Sequence, residues 1–395
     1  MNNGKNKILF VTQWQYEDAL VQTYTLPYIN IIQRLNSAHC YLVTIGKNKR
    51  IEVKKRKDIV VIEIPDPTGM YWLQWFLNII LLNRITGKKH FSIIHTFCTP
   101  AGAIGALIKK MHSEIKLILD SVEPHAEAMV ECKIWNRGIK FKGLFYLEKL
   151  QIRIADKLIF ATKEMDKYIS EKYGLNISGF SVKPACVDLS MFSEKCVKDN
   201  QLLKKLELED KVICLYAGKF GGFYLEEETF AFIKQCEEYW GKSKFRFLIL
   251  SNTSNEYLED KTSKYGIDKS TIIKLFVPHN EVAKYMGLAD FAISPYKPVP
   301  SKRYGTPIKN GEYWALGLPV VIPPNISEDS GIIEEHNAGA ILKAFNKEEY
   351  EKAISQIDSI ISARSRSEVY KMIRPIAEKY RNFSIAEKVY SEVYI

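Results

Sequence analysis

Short β-rich runs alternate with helix-patterned stretches along most of this chain, and the alternation starts again at Val212. In the first half the candidate strands are 8–11, 40–45, 59–64, 92–95, 117–120, 157–161 and 179–183. Helical patterns near 27–34, 101–111, 142–154 and 163–172 lie between several of them. The second half repeats the arrangement, with strands near 212–216, 246–250, 272–276, 291–294 and 320–322. Helices near 226–240, 256–265 and 281–288 separate these strands. Strands divided by whole helices cannot pair as tight hairpins, so each half predicts a parallel, doubly wound α/β sheet. A length of 395 residues suits two such domains of about 200 residues each. The polar stretch 192–210 reads as the linker. The expected domains are therefore 1–191 and 192–372, and the helical segment 373–395 follows them.

Hydrophobic residues make up 46% of the chain, enough to fill two cores. Seven scattered cysteines, an odd number without any C-x-x-C pair, predict free thiols in a reducing cytoplasm. They argue against a disulfide framework or a structural zinc site. The opening MNNGKNKILFVTQWQ has too short an apolar run for a signal peptide and continues as a strand pattern. On that reading the Asn-x-Ser triplets at Asn176, Asn325 and Asn382 are chance matches.

The net charge of +10 is unevenly spread. Residues 1–190 hold 27 Lys and Arg against 17 Asp and Glu, whereas residues 191–395 hold 29 of each. A basic half suits nucleic acid, an anionic membrane surface, or simply solvent. The aromatic-studded basic strands of RNA-binding domains are missing, which favours the membrane over nucleic acid. The segment 70–82, MYWLQWFLNIILL, falls short of the roughly 20 residues that span a bilayer. Gln74 and Asn78 share one helical face, and Arg84, Lys88 and Lys89 follow. That pattern fits an interfacial helix and fits a buried core helix equally well.

The chemistry concentrates at predicted strand ends, where open parallel sheets bind ligands. Residues 306–321, TPIKNGEYWALGLPVV, read as a loop, a short helix, a Gly-Pro turn and a buried strand. Lys309 and Glu312 share one helical face. Such a pair suits a ligand carrying both phosphate and vicinal hydroxyls, or it is an ordinary surface ion pair. Strand 212–216 runs into Ala217-Gly218-Lys219-Phe220-Gly221-Gly222. Glycine admits a phosphate close to the backbone and Lys219 offers a cation, although a tight turn would look the same. Strand 117–120 leads into a loop with Asp120, Glu123, His125 and Glu127 within eight residues, either a reaction-centre cluster or a local helix-capping network. The loop after the first strand offers Trp14 to stack on a sugar ring, and Gln13 and Gln15 to bond hydroxyls. In 276–280, Asn280 is placed to cap the next helix and His279 reads as a surface residue.

The 306–321 segment resembles the donor-binding signature of GT-B glycosyltransferases, specifically the retaining family 4 enzymes. Pro307, Lys309, Glu312, Tyr313, Ala315, Gly317, Pro319, Val320 and Val321 match a Pro-x-Lys-x-x-Glu-Tyr segment followed by Ala-x-Gly-x-Pro-Val-Val. The resemblance implies two Rossmann-like domains facing across a cleft, with a C-terminal helix around 385–393 crossing back to the first. A last helix packed on the second domain is the alternative. It implies that Glu312 bonds the donor ribose and that Lys309, Lys219 and Gly218 lie near the phosphates. Phe276 and Val277 would meet the base through their backbone, and Tyr304, Thr306 and Pro307 would line the donor site. His125 would orient the acceptor or relay a proton, with Gln13, Trp14, Gln15, Asp120 and Glu127 as acceptor contacts.

Four places depart from the family pattern: Val122 stands at the family's usual histidine position, three residues before His125, the loop after the first strand lacks the family's Gly-Gly pair, and two more lie in the second half. Tyr304 stands where a glutamate often precedes Glu312 by eight residues, and Phe223-Tyr224 occupy the place of a second lysine in the glycine-rich loop. The chain has no Asp-x-Asp, which fits metal-independent transfer without a cofactor. The implied activity is retaining transfer from a UDP- or GDP-sugar to a glycan or lipid-linked acceptor in bacterial cell-surface polysaccharide synthesis. The implied location is cytoplasmic, peripheral to the inner face of the plasma membrane. A nucleotide-sugar 2-epimerase of the same fold and a non-catalytic partner subunit are the alternatives.

Overall fold

The computed structural model describes residues 6–48, 50–66 and 71–394, the side chains of 71–75 and 122 excepted. The chain forms two compact units, Met1–Pro184 with Phe383–Ile395, and Ala185–Asn382.

The first unit contains β1 (Lys7–Gln15), β2 (His39–Gly46), β3 (Glu52–Arg56), β4 (Ile59–Pro65), β5 (Ile93–Phe97), β6 (Lys116–Val122), β7 (Lys157–Phe160) and β8 (Ser181–Val182). Their order is β3-β4-β2-β1-β5-β6-β7-β8. Every pairing is parallel except β3 with β4. Ile8, Leu9, Phe10 and Val11 are buried on both faces of β1, as a central parallel strand requires. The charged edge strand β3, EVKKR, lacks an apolar face and escapes sequence patterning; Lys54 bonds Glu63 of β4 at 2.8 Å.

The helix Phe383–Val393 belongs to this unit, as the resemblance implies. Phe383 meets the edge of Tyr28 with ring centroids 5.7 Å apart, and Arg34 pairs with Glu387. The segment 70–82 falls mostly within the helix Tyr71–Lys89, while Met70 lies outside the described residues. Asn78 is buried there and donates to the Pro65 carbonyl at 3.0 Å, beside buried Ile79 and Leu82. Phe76 and Leu77 are exposed at 58% and 42%, so the helix both packs and presents apolar surface. Among the described residues no helix is long and apolar enough to cross a membrane.

The second unit contains β9 (Val212–Ala217), β10 (Phe245–Leu250), β11 (Ile272–Leu275), β12 (Phe291–Ile293), β13 (Val320–Ile322) and β14 (Gly339–Ile341). All pairings are parallel, in the order β11-β10-β9-β12-β13-β14. Chain order therefore reverses between β9 and β12. The expected linker 192–210 is corrected by the packing: Phe192, Leu203 and Leu208 are buried in this unit's core. The division falls between Pro184 and Ala185.

Candidate functional site

In a doubly wound sheet the crevice opens where chain order reverses, at the carboxyl ends of the strands on either side. In the second unit these are β9 and β12. The last residue of β9, Ala217, donates its N–H to the Tyr313 hydroxyl at 3.1 Å. Tyr313 is buried and belongs to the helix Ile308–Ala315. That bond sets the start of the glycine-rich loop beside the helix that carries Lys309 and Glu312. Gly221 and Gly222 adopt φ of +80° and +61°, which L side chains resist. The turn brings the loop onto the chain after β12. There Leu225 N–H donates to Pro295 at 2.7 Å, Lys297 N–H donates to the Phe223 carbonyl at 3.0 Å, and Tyr224 bridges Tyr296. Lys219 stays exposed at the head of this stitched loop.

Glu312 is not half of an ordinary surface pair. Its side chain is only 2% exposed, and Oε2 accepts from Lys309 Nζ at 2.8 Å. Among the described residues Oε1 has no hydrogen-bond partner. A buried carboxylate held by one lysine, with its second oxygen free, can accept from a ligand hydroxyl pair. His279, in the turn after β11, lies at the surface within electrostatic reach of both residues. Desolvation lowers its pKa, the Glu312 carboxylate opposes this, and the Lys309 ammonium reinforces it. Asn280 does not cap: the turn His279–Glu281 follows Pro278 without a side-chain cap. Phe276 is 77% exposed just beyond β11, and Val277 is half-buried.

The helix is braced from behind by residues that no motif announces. Buried Asn310 donates to Asp329 Oδ2 at 2.7 Å, and Asp329 Oδ1 accepts from Arg381, whose guanidinium lies 5.3 Å over the Trp314 ring. Burial raises the Asp329 pKa against the pull of Arg381 and Asn310. Gly317, at φ +66°, ends the segment where an added Cβ would sit 2.5 Å from Tyr370 Cα. Pro307 precedes the helix as its N-cap, Thr306 lies just before it, and Tyr304 closes the 3-10 turn Pro300–Tyr304.

In the first unit one acceptor expectation is corrected. Asp120 is fully buried and faces inward. Its Oδ1 meets Lys183 Nζ at 3.2 Å and accepts from Ser121 Oγ at 2.8 Å. Its Oδ2 accepts from Tyr390 at 2.7 Å and lies 3.2 Å from His95 Nε2. Burial pushes its pKa up, but Lys183 and His95 outweigh this and hold it at about 2. Lys183 is itself fully buried, 3.7 Å from the Tyr28 ring centroid. So Asp120 is a structural counter-charge. Glu127 is also buried, with Lys172 3.7 Å away.

His125 opens the helix His125–Glu131, with its Nδ1 3.6 Å from Glu123. The next residue, Ala126, donates its N–H to Glu148 Oε1 at 2.8 Å. Gln13, Trp14 and Gln15 are not in a loop: β1 continues through a register shift to pair Gln15 with Ile45, leaving all three half-buried at the strand's end.

Residues 212–358 match the family described as glycosyl transferases group 1. No curated protein matches the chain by sequence. Among solved structures, sucrose-phosphate synthase from Thermosynechococcus elongatus matches with a TM-score of 0.77 at 14% identity, over 99% of this chain and 98% of that one. WaaG, described as a glycosyltransferase involved in lipopolysaccharide biosynthesis, matches at 0.72 and 14%, over 98% and 99%. HepE from Anabaena, solved in complex with UDP, matches at 0.70 and 11%, also over 98% and 99%. The chain therefore has the GT-B fold, and its second unit carries a glycosyl transferases group 1 domain.

Proposed function

We propose that this protein transfers a sugar from a nucleoside-diphosphate-sugar, with UDP or GDP as the nucleotide, onto a glycan or lipid-linked acceptor. The observation that carries the reading is Glu312. It is a buried carboxylate fixed by Lys309, with one oxygen uncommitted, at the strand-end crevice of a glycosyl transferases group 1 domain. In this reading Glu312 accepts from the ribose hydroxyls. Lys309 and Lys219 offset the charge that develops on the departing diphosphate, and backbone N–H groups of the glycine-rich loop assist. His125 orients the acceptor or moves its proton. HepE, solved with UDP, supports the donor class, and WaaG supports a cell-surface glycan as acceptor.

Retention at the anomeric carbon rests on the sequence resemblance, and independence from metal rests on the lack of Asp-x-Asp. The basic first half and the exposed Phe76 and Leu77 support a peripheral place on an anionic membrane.

The test is thermal shift and calorimetry of the full chain with UDP, GDP and their sugar conjugates. A ligand that binds only the folded state raises its apparent stability. One nucleotide should bind, and Glu312→Ala should weaken it by about tenfold or more, at 1.4 kcal/mol per tenfold. Failure of every nucleotide to bind, or unchanged affinity in Glu312→Ala, would refute this reading.

A further inference from the structure

The loop after β6 carries Asp120, Glu123, His125 and Glu127, which by sequence fit a reaction centre or a helix-capping network equally well. The cap is supplied from elsewhere. The N-cap of the helix His125–Glu131 is Pro124, which has no side-chain acceptor to offer. The N–H of Ala126, in its first turn, is taken by Glu148 from the helix Ile139–Ile154 at 2.8 Å. Asp120 faces the core, and Glu127 lies 3.7 Å from Lys172. Glu123 is the acid left beside the histidine.

The sequence Glu-Pro-His brings those two side chains together through its backbone. Proline presets φ, and at φ −74° and ψ 72° Pro124 is the centre of an inverse γ-turn. His125 N–H closes the turn on the Glu123 carbonyl at 2.8 Å. The residues flanking the proline thus become neighbours, and His125 Nδ1 lies 3.6 Å from Glu123 Oε1. Both are half-buried. Glu123 is also held from outside its loop. Thr99, buried at the start of the helix Thr99–Met111, accepts from Glu123 N–H at 3.0 Å and donates to its carbonyl at 2.6 Å. Two residues before Glu123, Ser121 sits at φ +59°, and the Tyr24 hydroxyl bonds its Oγ. A left-handed serine persists only where its surroundings hold it.

We propose that Glu123 is a positioning residue for His125: its carboxylate accepts the Nδ1–H of the imidazole, which leaves the Nε2 lone pair to take a proton. The inference rests on the reading of His125 above and narrows its two roles to one, the movement of the acceptor proton. A separation of 3.6 Å is longer than a formed hydrogen bond, and such contacts commonly tighten only when substrate is bound. In transfer the acceptor oxygen bonds the anomeric carbon while the bond to the diphosphate breaks. The hydroxyl proton passes to Nε2, Glu123 offsets the charge of the imidazolium, and the proton then leaves to water.

The test is proton–nitrogen correlation NMR of the full chain labelled at its histidine nitrogens, at alkaline pH. The His125 signals are those lost in His125→Gln. A solvated neutral imidazole favours the Nε2–H form, and a partner for Nδ1–H reverses that preference. The wild type should show His125 mainly as Nδ1–H, and Glu123→Ala should return it mainly to Nε2–H. Mainly Nε2–H in the wild type overturns the proposal without any variant. Nδ1–H that persists in Glu123→Ala also overturns it, whether or not the melting temperature falls, because Glu123 is then at most structural. The measurement needs no substrate. It therefore judges Glu123 even if no nucleotide binds, a result that would defeat the donor-site reading alone.

Discussion

Glu148 makes stability run against pH in a way a single substitution can abolish. Its carboxyl sits in the helix Ile139–Ile154, fully buried, accepting from Ala126 N–H at 2.8 Å and from the Tyr173 hydroxyl at 3.0 Å. Burial pushes its pKa up to about 8, with the nearby Glu127 and Glu123 adding to the rise. Between the ordinary glutamate value of 4.5 and about 8, the folded chain holds a proton that the unfolded chain has lost. Stability must therefore fall as pH rises through that window, by at most about 1.4 kcal/mol per pH unit and a few kcal/mol in all. Glu148→Gln keeps the shape and the acceptor for Ala126, offers its amide to Tyr173, and removes the titration. Urea unfolding of both proteins from pH 5 to 9 measures the difference, in which the other titrating groups cancel. The two should agree near pH 5 and diverge upward, with the variant the more stable at pH 8 by about 2 kcal/mol or more. Parallel curves over that range, or a variant weaker at pH 8, would refute the assignment of a neutral Glu148. The site has a stake in the result, because Ala126, whose N–H bonds the titrating carboxyl, directly follows His125.

Other groups give further expectations. Asp120→Asn strips Lys183 of its buried counter-charge and should cost about 3–5 kcal/mol, read by thermal unfolding. A loss below 1 kcal/mol would mean that the lysine finds another partner. Because Asp120 is held at about 2, its contribution is fully present above the usual aspartate value of 3.8 and fades as pH falls toward 2. Acid unfolding of the wild type should therefore steepen in that interval relative to Asp120→Asn. The helix Tyr71–Lys89 should carry the protein upward with vesicles containing anionic phospholipid in a flotation gradient, and Phe76→Ser with Leu77→Ser should reduce this several-fold. Equal flotation with neutral vesicles would sink the membrane reading.

The strand alternation was legible because parallel strands buried on both faces carry continuous apolar runs, as in 8–11 and 212–217. Strand β3 was not, since EVKKR pairs at an exposed edge, and neither was β14, GAI, which lacks the β-branched and aromatic run that marks the equally short β12 and β13. The stretch 192–210 looked like a linker because its core anchors, Phe192, Leu203 and Leu208, are sparse among polar residues. In the site, Lys309, Glu312 and Gly218 lie in contiguous segments and could be read directly. Asp120 could not. An acid at a strand end looks the same whether it faces solvent or core, and its partners His95 and Tyr390 are 25 and 270 residues away. The brace of Asn310, Asp329 and Arg381 is likewise set only by tertiary packing.

The return of residues 383–394 to the first unit has a consequence for synthesis. Asp120, His95 and Lys183 emerge from the ribosome early, but the hydroxyls of Tyr390 and Tyr394, which complete their hydrogen bonds, arrive only after the whole second unit has been made. A nascent chain therefore carries an unfinished charge cluster in its first unit for about 200 residues of elongation, some tens of seconds at typical rates. The second unit is contiguous and can reach its final form first, so the half that begins the chain is the half that finishes folding last.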